Sequence, residues 1–212
     1  MENSSKKIAE YLLQIKAIKL QPSNPFTWAS GWKSPIYCDN RKTLSFPDVR
    51  SFIRDSFTEV VKKYYPEVQL IAGVATGAIA HGVLVAEKLG LPFIYVRSEA
   101  KEHGLGNQIE GYFEPGQKVV VIEDLISTGG SSLGAAKALR DAGCDLLGMA
   151  AIFTYEFKKA ADGFDAAGCA LHTLSNYSTL ITAAVASGYI DQQDVETLKK
   201  WRTDPSSWGL NK

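Results

Sequence analysis

The sequence predicts an α/β protein with a parallel central sheet flanked by helices. From residue 69 onward, short runs rich in Val and Ile alternate with stretches of helical periodicity, and repeated β-α units of this kind imply a parallel sheet. The runs are apolar at consecutive positions, as in strands buried on both faces. Of 212 residues, 45% are hydrophobic and 22% charged, which suits one sizeable core and excludes disordered and fibrous classes.

In chain order, Ile8, Tyr11, Leu12 and Ile15 recur at helical spacing behind Ser4 and Ser5 as capping residues, giving a first helix that ends before Pro22. Residues 26–41 mix aromatics with Gly31, Pro35 and polar side chains, and read as a loop-rich segment. Pro47 then opens a second helix through Phe52, Ile53, Phe57 and Val60 to about Tyr65, and this front portion is expected to sit over the core. Strands follow at 70–74, 93–96, 119–122 and 146–153, with helices over 78–89 and 135–142. A last strand is expected at 169–174, helices near 178–187 and 191–201, and a loose tail from Pro205. No internal repeat is visible. One domain over 1–212 is expected: N-terminal helices and cover at 1–65, the α/β core at 66–176, and C-terminal helices and tail at 177–212.

Lys and Arg number 23 and so do Asp and Glu, so no global field attracts nucleic acid or an acidic membrane, and any phosphate must be captured locally. The apolar stretches are too short to cross a bilayer and the first seven residues lack an apolar signal core, so a cytoplasmic protein is expected. Cys38, Cys144 and Cys169 are odd in number and widely spaced, which points to reduced thiols rather than disulfides or a zinc site.

The most informative segment is 119–132, Val-Val-Val-Ile-Glu-Asp-Leu-Ile-Ser-Thr-Gly-Gly-Ser-Ser, which joins an apolar strand to two carboxylates, a small-residue turn and a helix. Residues 127–131 can aim successive backbone N–H groups at one point at the positive end of a helix, where an anion is favoured. Glu123 and Asp124 would repel a phosphate and must face a neutral part of the same ligand. Vicinal sugar hydroxyls are donors that a carboxylate accepts well. The loop therefore suits both ends of a ribose 5-phosphate. A nucleotide P-loop needs a Gly-x-x-x-x-Gly-Lys run, which is absent, and Gly104-Leu105-Gly106 lies in a polar stretch with the wrong continuation for a dinucleotide fingerprint.

Ligands of such sheets bind beyond the carboxyl ends of the strands. Between 96 and 119 lie about twenty residues with four glycines and little periodicity, long for a compact domain and expected to form a lid. Arg97, Lys101 and His103 place three candidate cations there, and a pyrophosphate is their natural target. His81 and His172 are expected to be packed or half-exposed rather than catalytic, and Trp28 and Trp32 belong to either core or lid.

The 119–132 segment resembles the phosphoribosyl-pyrophosphate (PRPP) signature of the type I phosphoribosyltransferases. Residues 97–106, Arg-Ser-Glu-Ala-Lys-Glu-His-Gly-Leu-Gly, are similar to the catalytic loop of the orotate-using branch, and residues 26–39 to its N-terminal substrate-covering hood. The resemblance implies transfer of ribose 5-phosphate from PRPP to orotate, with orotidine 5-monophosphate and pyrophosphate as products. It implies PRPP contacts at Arg97, Lys101, His103, Glu123, Asp124, Leu125, Ile126, Ser127, Thr128, Gly129, Gly130 and Ser131. By the same resemblance orotate meets Ser127 and Tyr155. Lys101, His103 and Asp124 are implied as catalytic, with Mg2+ arriving on PRPP and no separate metal site in the protein. A homodimer is implied, with the loop acting in its own site or across the dimer. Ala29 and Gly77 stand where some members have lysines, Ser98 replaces a loop lysine, and Tyr155 sits where an orotate-contacting arginine often lies. Two rival readings keep the fold: a purine-base phosphoribosyltransferase, and a PRPP-sensing regulator without chemistry.

Overall fold

The computed structural model describes residues 2–28, 31–97 and 108–209. Helix α1 spans Glu2–Gln14, so Ser4 and Ser5 lie inside it rather than capping it. Ile8 and Leu12 are fully buried on its inner face, while the Ser5 carbonyl accepts from Ser175 Oγ at 2.9 Å. An unforeseen strand β1 (Ile18–Leu20) precedes the segment 26–41 expected as loop, which itself carries the equally unforeseen short strands β2 (Phe26–Thr27), β3 (Lys33–Ser34) and β4 (Ile36–Cys38). β1 pairs antiparallel with β4, and β2 with β3. A 3-10 turn over Asn40–Ser45 leads to α2 (Pro47–Tyr64), whose N1 proline matches the expected start.

The core then alternates as read: β5 (Leu70–Val74), α3 (Ile79–Leu89), β6 (Phe93–Val96), β7 (Ile109–Glu110), β8 (Lys118–Ile126), α4 (Gly130–Asp141), β9 (Asp145–Thr154), α5 (Lys158–Ala166), β10 (Leu171–Asn176), α6 (Tyr177–Ala186) and α7 (Asp194–Thr203). The six-stranded sheet has the order β10-β9-β8-β5-β6-β7, parallel throughout except that β7 runs antiparallel to β6. Period-two alternation divides the core in two. Ile71, Val120, Ile122, Ala150 and Ile152 face α1, α2, α3, α6 and α7, while Ala72, Val119, Val121, Met149 and Ala151 face α4 and α5.

Two further elements were absent from the sequence reading. Helix α5 buries only Ala160 and Phe164 and carries Gly163, too thin a stripe to reveal its period. Strand β7 is two residues long. It closes the 96–119 connection early, pairing Tyr95 with Glu110 and Val96 with Ile109, and so shortens the span expected as a lid. Among the described residues no helix is long and apolar enough to cross a membrane, and all three cysteines are free thiols.

An aromatic cluster ties the N-terminal hood to the C-terminal helix. The Trp201 ring on α7, fully buried, lies 5.6 Å from Trp28, 5.6 Å from Tyr155, 5.3 Å from Phe157 and 5.7 Å from Tyr177. Trp28 thus belongs to the packing around the core. Trp201→Ala is expected to cost about 3–5 kcal/mol of unfolding free energy in urea, as for other buried tryptophans. A loss below about 1 kcal/mol would show that the cluster does not act as one unit.

Candidate active site

Strand β5 stops early. Its pairing with β8 ends at Gly73 and Ile122, whereas β8 runs on beside β9 as far as Ile126 and Thr154. Residues 123–126 therefore project past the neighbouring strand into a crevice at the carboxyl ends, where open α/β sheets bind ligands. Both acids lie inside the strand rather than in the loop that follows.

Alternation roots the two side chains on opposite faces of β8, yet their carboxyl groups still meet in a side-chain hydrogen bond. Glu123 follows Val119 and Val121 toward α4. It is 4% exposed, and its Oε1 accepts from the Asp124 backbone N–H at 2.9 Å and its Oε2 from Ser132 Oγ at 2.8 Å. Burial, and then the neighbouring Asp124 charge, push its carboxyl up to about 8. The sequence reading had both acids facing the sugar, but Glu123 is turned inward because its two oxygens are held there. Asp124 follows Val120 and Ile122 toward the hood and stays partly exposed. Its carboxylate lies in the space that a Cβ at Gly77 would take, so a side chain there would have to move it.

The turn after β8 has the form of an anion cradle. Gly129 takes φ +84° as the N-cap of the twelve-residue α4. The first helical bond is Leu133 N–H to the Gly129 carbonyl at 2.9 Å, so the amides just ahead of it have no helical acceptor. Gly130 and Ser131 are exposed, and the space over Gly130 is open. Ser127 and Thr128 are half-buried, Leu125 is half-buried and Ile126 is buried under the turn.

Arg97 stands at one foot of the long loop, its guanidinium 3.6 Å from Glu110 Oε1. Its backbone is locked to Gln108 twice, by N–H to carbonyl at 2.9 Å and by Gln108 Nε2 to the Arg97 carbonyl at 2.8 Å. Lys101 and His103, like Ala29 and Ser98, lie outside the described residues. Tyr155 is 2% exposed, packed among Trp28, Phe153, Phe157 and Trp201, and burial raises its phenol well above the usual range. It is committed to aromatic packing and presents no open polar contact. His81 is buried and His172 stacks on Tyr64 at 3.8 Å. A cavity of about 1000 Å³ between α1, α2, α6 and β10 includes none of residues 123–131.

One site residue was missed by sequence reading. Asn40, 1% exposed in the 3-10 turn, donates from Nδ2 to the Asp124 carbonyl at 2.5 Å across 84 residues of chain. Nothing in the sequence pairs positions so far apart.

Residues 46–179 match the phosphoribosyl transferase domain family. The chain is 56% identical to the orotate phosphoribosyltransferase of Porphyromonas gingivalis over 210 residues, covering 99% of this chain and all of that protein. It is 57% identical to the orotate phosphoribosyltransferase of Bacteroides fragilis over 212 residues, the full length of both. The chain belongs to the orotate phosphoribosyltransferase family. A solved orotate phosphoribosyltransferase, from Aeropyrum pernix, shares its fold with a TM-score of 0.75 at 27% identity, over 87% of this chain and 99% of that one. As an orotate phosphoribosyltransferase it is a pentosyltransferase of pyrimidine biosynthesis, and the purine-base and regulator readings fall away.

The inward carboxyl of Glu123 has a measurable consequence. Its proton is retained in the fold to about pH 8 but leaves the unfolded chain near 4.5, so this group's contribution to stability is full below 4.5 and is lost as pH rises toward 8. Glu123→Gln is expected to unfold at a higher temperature relative to the parent at pH 8 than at pH 5. A difference in melting temperature that is flat across this range would exclude a protonated Glu123.

Proposed function

We propose that the turn from β8 into α4 holds the ribose 5-phosphate of PRPP for transfer to orotate, giving orotidine 5-monophosphate and pyrophosphate. The observation that carries this reading is the cradle open at Gly130 and Ser131, turned by the buried Gly129 beside a partly exposed Asp124. The backbone from Ser127 to Ser131 takes the phosphate, with Leu125 and Ile126 leading into it. Asp124 accepts from the ribose hydroxyls, and Glu123 acts behind it by fixing the Asp124 amide and Ser132. Tyr155 walls the orotate pocket under the hood, and Ser127 reaches the same base.

Displacement at the anomeric carbon builds positive charge on the sugar and negative charge on the departing pyrophosphate. Arg97, Lys101 and His103 serve the pyrophosphate end by the family likeness, Lys101 stabilising the leaving charge and His103 donating a proton. Bound with PRPP, magnesium neutralises phosphate oxygens. Among the described residues no group of three His, Cys, Asp or Glu can hold a cation, while the single hard carboxylate of Asp124 suits an ion already held by its substrate. The family likeness further supports a cytoplasmic homodimer and one domain divided near residues 65 and 176.

Lys101→Ala is expected to lower turnover by roughly a hundredfold or more with PRPP affinity nearly unchanged, since a charge used mainly in the transition state moves kcat. Pyrophosphate release in the presence of orotate measures it, and unchanged turnover would reject the role. Asp124→Asn is expected to weaken PRPP binding roughly tenfold as well as slow turnover. A normal dissociation constant by calorimetry would place the sugar elsewhere.

A further inference from the structure

The last residues of β8 are paired on the β9 side, with β5 already ended on the other. A carbonyl left there without a strand neighbour needs a donor, because a buried acceptor without one is costly. Asn40 supplies it. Its Nδ2 donates to the Asp124 carbonyl at 2.5 Å, while its Oδ1 lies 3.3 Å from the Cys38 thiol, which donates to it. That pattern leaves no freedom to flip the carboxamide, since the reverse would set oxygen against the Asp124 carbonyl oxygen.

Asn40 is held in turn. Thr43 Oγ1 gives its one proton to the Asn40 carbonyl at 2.6 Å, so toward His81 Nε2, 3.2 Å away, it accepts. His81 therefore carries its proton on Nε2, and its Nδ1, buried with no partner among the described residues, is the bare nitrogen. Burial pushes this imidazole down to about 4 and keeps it neutral. Asn40, Thr43 and His81 are all at most 1% exposed, so the chain of bonds from α3 through the hood to β8 is shielded from water.

We propose that Asn40 is a positioning residue for the transfer reaction: its carboxamide, oriented by the Cys38 thiol on a backbone that Thr43 and, behind it, His81 hold, fixes the end of β8 so that Asp124 presents its carboxylate to the ribose. The proposal rests on the reading of Asp124 as the acid that accepts from the sugar. It assigns the hood a second duty beyond covering the base, which is to set the backbone beneath the sugar. Gly77 bounds the same carboxylate from the α3 side, so its backbone is gripped on one side and its side chain given room on another.

The test combines Asn40→Ala, Asp124→Asn and the double variant, with PRPP affinity read by calorimetry in the presence of magnesium and the KM values for PRPP and orotate read separately. Asn40→Ala is expected to weaken PRPP binding roughly tenfold, to raise the KM for PRPP more than that for orotate, and to add little further loss to Asp124→Asn. Full PRPP affinity in Asn40→Ala, or losses that simply add in the double variant, would overturn the proposal. Should Asn40→Ala not fold, Thr43→Val removes only the hydroxyl behind Asn40. It is expected to show a smaller loss of PRPP affinity, and an unchanged affinity would overturn the proposal equally. Normal affinity in Asp124→Asn alone would instead sink the ribose reading, and this inference with it.

Discussion

Two like charges on adjacent residues at the end of a buried strand cannot both be accommodated in the same way, and the site is arranged around that constraint. The pleat of β8 roots Glu123 and Asp124 on opposite faces, while their carboxyl groups remain within hydrogen-bonding reach of each other. On the α4 side, burial and the nearby Asp124 charge favour a protonated Glu123, whose oxygens meet a backbone amide and a serine hydroxyl. On the hood side Asp124 keeps its access to solvent. The crevice thus presents one carboxylate beside an amide cradle, rather than two negative charges that would weaken the hold on a phosphorylated ligand.

The hood depends on aromatic packing more than on its own strands, which are two or three residues long and marginal by themselves. Trp28 donates from Nε1 to the Ile36 carbonyl at 3.1 Å and lays its ring on Tyr155 at 5.4 Å. Tyr155 is therefore spent on packing against Trp28, Phe157 and Trp201. A buried phenol gives a flat apolar surface and no charge at the β9 end.

How legible all this was follows from how local each signal is. Strands β5, β8 and β9 read directly because they are buried on both faces over most of their length, and β6 because all four of its residues are apolar or aromatic. The turn read from the Gly129-Gly130 pair because the positive φ at Gly129 demands such a residue. The opposed directions of Glu123 and Asp124 follow from period two, but only once β8 is known to run on to Ile126, and the expected strand end at Ile122 hid it. Ser4 and Ser5 looked like caps because capping chemistry is short-range, yet α1 is set by docking Ile8 and Leu12. Asn40 and Asp124 meet through the fold alone.

The foot of the long loop shows how weak contacts serve a site that must exchange partners. Arg97 pairs with Glu110 at 3.6 Å with its side chain 41% exposed, and such a pair is worth about 0–1 kcal/mol. The backbone beside it is held far more firmly, by two hydrogen bonds to Gln108 and by the β6–β7 ladder. Position is therefore supplied by the main chain while the guanidinium stays cheap to release. An anion with more charge than one carboxylate and geometry for a bidentate grip would compete with Glu110 for Arg97 without disturbing the strands that carry it.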